Sequence, residues 1–232
     1  MTDRSGGLYA PSLVEVTTRQ LREEILAGQL VPGERLIEEQ IRLRFSISRA
    51  PLREALRSLA QQGLVEHLPR RGMRVTDLTT TDVDQLFGIR RVLERHAIET
   101  TFPMDSLPDR ERLAEVHHWL DQMRHADDDQ LLKDDAHRAF HAAIVGLADN
   151  RQLDLALEPI LLKLQRPMAL NLRREAQVFG PAAGLQRHER LVAALESNDL
   201  EMILTELESH GMTRFLTTSR TRPTDSPVLA EA

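Results

Sequence analysis

Four histidines and three arginines are the residues whose types and spacing could do chemistry: His137, His141, His188 and His210, and Arg49, Arg53 and Arg57. In the stretch DDAHRAFHAAI, His137 and His141 stand at i and i+4, which puts them on one helical face. Two imidazoles one turn apart can ligate the same divalent metal. Asp134 shares that face three residues earlier. His188 and His210 follow, 22 residues apart across a short turn, so antiparallel helices would bring them level. Phe140, Ile144 and Leu147 make the first helix amphipathic, with the histidine pair beside the apolar stripe rather than opposite it. Four imidazoles converging inside a helical bundle would form a divalent-metal site. Of the remaining histidines, His117, His118 and His125 lie in a charged helix and read as solvent-facing, and His96 could be a hydrogen-bonded core residue.

The arginines belong to SISRAPLREALRSLAQQG, residues 46–63. Ser48 is a suitable N-cap, and Pro51 falls in the first helical turn, where its missing N–H costs nothing. Leu52, Ala55, Leu56 and Leu59 form a buried stripe, and Arg49, Arg53 and Arg57 lie off it. A helix held down by leucines and showing arginine from its first turn can enter a major groove, where Arg pairs with guanine or binds phosphate. A solvated basic face is the alternative. The basic loop Pro69-Arg70-Arg71-Gly72 suits a phosphate or minor-groove contact.

These residues need elements to position them. The periodicity predicts helices over 13–27, 38–45 and 48–62, then short strands over 64–67 and 73–77. That order is a winged helix-turn-helix. Beyond Asp82 everything reads helical, near 82–101, 108–126, 130–148, 150–178, 181–197 and 199–217. The expected fold is mostly α: an N-terminal winged helix-turn-helix followed by an all-α six-helix bundle. The domains are a mobile N-terminus (1–11), a winged domain (12–78), a helical domain (79–217) and a disordered tail (218–232). Charge divides in the same place. Residues 1–76 carry 12 Arg against 9 acidic residues, net +3, and the remainder carries −9 of the total −6. The chain has no cysteine, which excludes disulfides and thiolate metal sites, and only 3% aromatic residues, which favours helix packing. No apolar run nears the roughly 20 residues of a membrane span, and no signal peptide is evident, so a cytoplasmic protein is expected.

The winged segment resembles the DNA-binding domain of the GntR family of bacterial transcription regulators. The resemblance rests on Pro32-Gly33-Glu34, Ser48-Arg49, Pro51-Leu52-Arg53-Glu54-Ala55-Leu56, Gly63-Leu64-Val65 and Arg71-Gly72. It implies that Ser48, Arg49 and Arg53 form the DNA-contacting part of the recognition helix and that Arg71 and Gly72 form the wing tip. Some relatives carry an Arg at the start of the second helix that also touches DNA. This chain has Glu38 and Glu39 there, so that contact is not carried over.

The helical half resembles the ligand-binding (FCD) domain of the FadR subfamily, in its VanR-like six-helix branch. The resemblance rests on FGIRRVLERHAIE, HRAFHAAIVGLADNRQL and RHERLVAALESNDLEMILTELESH. Metal-binding members carry an Asp four residues before the first of three histidines. Here His141, His188 and His210 match the histidines and His137 occupies the Asp position, with Asp134 the competing donor. An all-histidine set shifts preference from hard oxygen-seeking ions toward zinc, nickel or copper, so the expected cofactor is zinc or nickel. The resemblance also implies a small organic acid effector above the metal. Arg90, beside a stripe of Leu86, Ile89 and Leu93, would be its carboxylate partner unless it is solvent-exposed or pairs with Glu94.

The expected function is therefore a metabolite-responsive transcription regulator, a homodimer on a short inverted-repeat operator, with no membrane contact. The alternative is a metal-dependent hydrolase with an accessory DNA-binding domain. Against an enzyme, the sequence has no HExxH and no carboxylate pair at a defensible spacing.

Overall fold

The computed structural model describes residues 11–105, 107–126 and 128–211. The tail expected over 218–232, the last turns of the helix expected over 199–217, and all of the expected mobile stretch 1–11 except residue 11 lie outside the described residues. The chain divides into two compact units between Thr76 and Asp77.

The first unit runs α1 (Leu13–Ala27), β1 (Arg35–Leu36), α2 (Glu38–Phe45), α3 (Arg49–Gln61), β2 (Val65–Leu68) and β3 (Gly72–Val75). Ser12 and Glu15 close a capping box at the start of α1, and Gly28 ends it in the left-handed region at φ 81°. Leu52, Ala55, Leu56 and Leu59 of α3 are buried and pack in a core with Leu21, Ile25 and Leu26 of α1. Ser48 caps α3 only through its backbone; its hydroxyl makes no cap bond, unlike the expected side-chain cap. β2 and β3 pair antiparallel with Leu68 opposite Gly72, one or two residues displaced from the strands read off the sequence. A third strand, unseen in the sequence, completes the order β1-β3-β2. Two residues are too short to show a period of two.

The second unit contains six helices among the described residues: α4 (Thr80–Thr101), α5 (Leu107–Arg124), α6 (Gln130–Gly146), α7 (Arg151–Phe179), α8 (Ala183–Ser197) and α9 (Leu200–His210). The mostly α architecture with a small wing is thus as expected. Thr79 and Asp82 form the capping box of α4. Asn198 closes α8 at φ 59°, and the next residue, Asp199, caps α9 by accepting from Glu201 and Met202. α7 runs through Pro159 and Pro167. One apolar cluster joins α4, α5, α6, α8 and α9 around Phe140, Ile144, Leu191 and Ile203. A second joins α4, α6 and α7 around Phe87, Val145, Leu161 and Leu164. α6 serves both clusters, and it carries the histidine pair.

The buried face of α4 differs from the stripe expected. It presents Val83, Phe87, Arg90, Glu94, Ala97 and Ile98, while Ile89 is 49% exposed. Two of the inward positions are charged, so apolar periodicity pointed to a neighbouring face. His96 is exposed, not a core residue.

Candidate functional site

His137 and His141 project from α6, His188 from α8 and His210 from the last turn of α9, and all four are 0–3% exposed. Their rings meet. Centroids are 4.9 Å apart for His137–His141, 4.7 Å for His137–His188 and 4.4 Å for His188–His210. One nitrogen from each of His137, His141 and His188 lies within 4.8 Å of the other two. His210 stands outside that triad, its ring 5.2 Å from that of His141. Phe140 packs edge-on against His141 and His188 and forms an apolar wall.

Two of the imidazoles are already oriented. His188 Nδ1–H donates to the Gly184 carbonyl at 2.6 Å, which leaves the lone pair on Nε2, and that nitrogen has no partner. His141 Nδ1 is 2.7 Å from Glu94 Oε1. When Glu94 is ionised its carboxylate can only accept, which puts the proton on His141 Nδ1 and the lone pair on Nε2. His141 Nε2 lies 3.1 Å from His137 Nε2. Two nitrogens sharing a zinc at 2.0–2.1 Å are spaced about 3.3 Å apart, so this separation suits a common ion. His137 Nδ1 and both nitrogens of His210 are buried without a hydrogen bond. Burial, reinforced by the neighbouring cations, holds all four histidines well below their usual pKa. They are neutral at physiological pH, the form that ligates metal. Orphaned nitrogens in a buried site are unusual, because buried polar groups are nearly always satisfied. A divalent ion would take up His188 Nε2 and one nitrogen of His210, one ligand atom from each ring.

Asp134 is turned to another task. Its Oδ2 takes a 2.7 Å bond from Arg173 Nη2. Arg90 points inward at 3% exposure, and its Nε lies 3.3 Å from Glu94 Oε1, an ion pair not aligned as a hydrogen bond. Arg90 is therefore buried, not solvent-exposed, and makes the Glu94 pair that was the alternative to an effector contact. Glu94 was seen in the sequence only as that partner. In the fold it also holds His141, and burial raises its pKa to about 7 against the opposing pull of Arg90. Its spacing from Arg90 was legible in the sequence, but its approach to His141 across 47 residues was not. Arg187 was also missed. It grips Glu175 through two bonds of 2.8 and 2.9 Å and donates to the His210 carbonyl at 2.9 Å, tying α7, α8 and α9 together. Arg90, Arg187, Asn171, His137, His141 and His210 line a cavity of about 10 Å³, together with Phe87 and Met168. That is room for about one water.

In the first unit Ser48, Arg49, Arg53, Arg57, Arg71 and Gly72 are all exposed. Arg71 and Gly72 lie at the β2–β3 turn, with Gly72 at φ 83° and open space around its α-carbon. Arg35 fixes the turn by donating to the Arg71 carbonyl at 2.9 Å. The three arginines of α3 face away from the buried leucines, as expected. Each side chain of Arg53 and Arg57 meets a carboxylate: Glu38 at 3.3 Å and Glu54 at 3.0 Å. No helix among the described residues is long and apolar enough to cross a membrane.

Residues 13–75 match the family described as bacterial regulatory proteins, gntR family, and residues 85–212 match the FCD domain. Among curated relatives, an uncharacterised HTH-type transcriptional regulator, YdhC of Bacillus subtilis, is 34% identical over 61% of this chain. That match spans 63% of the relative's own length. The gluconate operon transcriptional repressor of Bacillus subtilis is 26% identical over 82% of this chain and 79% of its own. Among solved structures, a putative GntR transcriptional regulator from Rhodococcus sp. RHA1 superposes with a TM-score of 0.63 at 26% identity. It covers 87% of this chain and 94% of that one.

Proposed function

Since the chain belongs to the GntR family of bacterial regulatory proteins and carries an FCD domain, we propose that it is a metal-dependent, metabolite-responsive transcription regulator. The first unit reads DNA, and the second senses. α3 enters the major groove with Ser48, Arg49 and Arg53, and Arg71 and Gly72 at the wing tip approach the backbone or minor groove. One winged domain reads only a few base pairs, so the protein works as a homodimer on a short inverted repeat in duplex DNA. Its place of action is the cytoplasm.

The observation that carries the sensing role is the set of buried imidazole nitrogens without partners. His137, His141 and His188 hold a divalent ion, with His210 as the fourth ligand. Four neutral nitrogens favour zinc or nickel over hard oxygen-seeking ions. The ion would supply positive charge and an open position beside the cavity for the carboxylate of a small organic acid. Glu94 keeps His141 in the ligating tautomer, and Gly184 does the same for His188. Arg90 meets the acid, exchanging part of its hold on Glu94. A cavity of about 10 Å³ cannot take an acid as it stands, so binding displaces a wall of the pocket. That displacement is the signal.

The relatives are named as regulators of transcription, which weighs against the hydrolase alternative. The test is light scattering and fluorescence anisotropy on zinc-loaded protein, with an operator selected from a random duplex library, followed by a thermal-shift screen of small carboxylates. A dimer is expected, with operator affinity changed by at least one acid and only when metal is present. A monomer that binds DNA tightly, or acid effects that persist after metal removal, would overturn the proposal.

A further inference from the structure

Glu38 stands at the start of α2, where a negative charge opposes approach to phosphate. It nevertheless has a specific partner. Arg53 Nε donates to Glu38 Oε2 at 3.3 Å, across 15 residues and between two helices. The neighbouring acids are bound locally instead. Glu39 pairs with Arg42 on its own helix at 2.5 Å, and Glu54 pairs with Arg57 on its own helix at 3.0 Å. Arg53 is thus the α3 arginine that an ion pair ties to a second element. Glu38 and Arg53 also line a crevice of about 330 Å³, together with His67, Gly72 and Met73 of the hairpin.

We propose that Glu38 is a positioning residue that aims Arg53 at a guanine and trades non-specific DNA affinity for base discrimination. This rests on the reading of α3 as the recognition helix. Holding Arg53 by Nε leaves Nη1 and Nη2 for a base, and two parallel N–H groups are what guanine O6 and N7 accept. A free arginine loses rotamer freedom when it docks; one already held by a carboxylate loses less. That difference is worth about two- to tenfold in affinity for one long side chain. The same carboxylate repels phosphates on every sequence alike, which weakens the sequence-independent part of binding. Discrimination gains from both effects, by preorganising the right contact and penalising the wrong ones.

The experiment uses the full-length, metal-loaded protein and an operator selected from a random duplex library by the parent. Binding is measured by anisotropy on that operator, on its single-base variants and on a random duplex, at fixed salt. In Glu38→Gln, discrimination at the base pair read by Arg53 should fall about two- to tenfold, while affinity for the random duplex rises. The two readouts move in opposite directions, which a damaged fold cannot produce. Glu38→Asp keeps the charge but shortens the reach, so discrimination should fall with no gain on the random duplex. Arg53→Ala should abolish discrimination at the same base pair, with no further loss on adding Glu38→Gln. Unchanged discrimination in Glu38→Gln and Glu38→Asp overturns the inference while leaving α3 as the reader. An equal loss on every sequence overturns it too, since that is a structural role. If the parent selects no sequence at all, the recognition-helix reading itself fails, and the inference with it.

Discussion

Glu94→Gln isolates the one carboxylate that touches both halves of the sensing site. Glu94 Oε1 lies 2.7 Å from His141 Nδ1 and 3.3 Å from Arg90 Nε, and the residue is fully buried. Glutamine keeps an oxygen that can accept from Nδ1, so the ligating tautomer survives, but the negative charge that makes the imidazole a stronger donor is lost. Partners of this kind contribute about 10- to 100-fold in metal affinity. The substitution also leaves Arg90 buried without its counter-charge. Removing one member of a buried pair costs about 3–5 kcal/mol. With a pKa of about 7, Glu94 is ionised in only part of the population near neutrality, which selects the lower end of that range. A loss of about 3 kcal/mol lowers the melting temperature of a chain this size by about 6–12 °C. Zinc affinity is read by chelator competition at pH 7.5, and stability by calorimetry on the metal-free protein. Zinc affinity within about threefold of the parent would refute the claim that the Glu94 charge strengthens His141 as a metal donor.

Three further outcomes follow from the same contacts. The four histidines have folded pKa values below those of the unfolded chain, so the unfolded state takes up protons first as pH falls below about 6.5. Each such histidine removes about 1.4 kcal/mol per pH unit until its folded pKa is reached. Glu94, raised to about 7 from 4.5, binds its proton earlier in the folded state and opposes one of the four between those values. Urea melts of metal-free protein from pH 7.5 to 5 should therefore show a steep net loss; constant or rising stability would contradict the burial of neutral imidazoles. Asp134→Asn should leave metal content unchanged and His137→Ala should reduce it, as measured by mass spectrometry, because Arg173 holds Asp134 at 2.7 Å; the reverse result would make Asp134 the ligand. Arg49→Ala and Arg53→Ala should each cost about 1–3 kcal/mol of operator binding by anisotropy, and unchanged affinity in both would remove α3 from the interface.

Much of this was legible because local rules and tertiary structure agree. Pro51 near the front of α3, its leucine stripe and the arginines beside it are set by helical geometry alone, as is the one-turn spacing of His137 and His141. Junction residues such as Asn198-Asp199 marked helix ends because their side chains and left-handed backbone do local work. What escaped depends on long-range pairing. β1 exists only because β3 offers it an edge. The inward face of α4 includes Glu94, which looks like a solvent residue until His141 is placed against it. Arg187 was passed over for the same reason: its two partners lie on other helices.

The most direct measurement is the metal content of purified protein reloaded with zinc or nickel, compared with His141→Ala and His188→Ala, alongside melting temperature with and without chelator. His141 and His188 are the two imidazoles whose Nδ1 contacts already turn Nε2 toward the cluster. One ion per chain is expected in the parent, with loss in both variants. Metal at a hundredfold excess over its dissociation constant should stabilise the parent by about 2.7 kcal/mol. Well under one ion per parent chain, or variants that keep a full complement, would contradict the metal centre, and the four histidines would be polar members of a helical core.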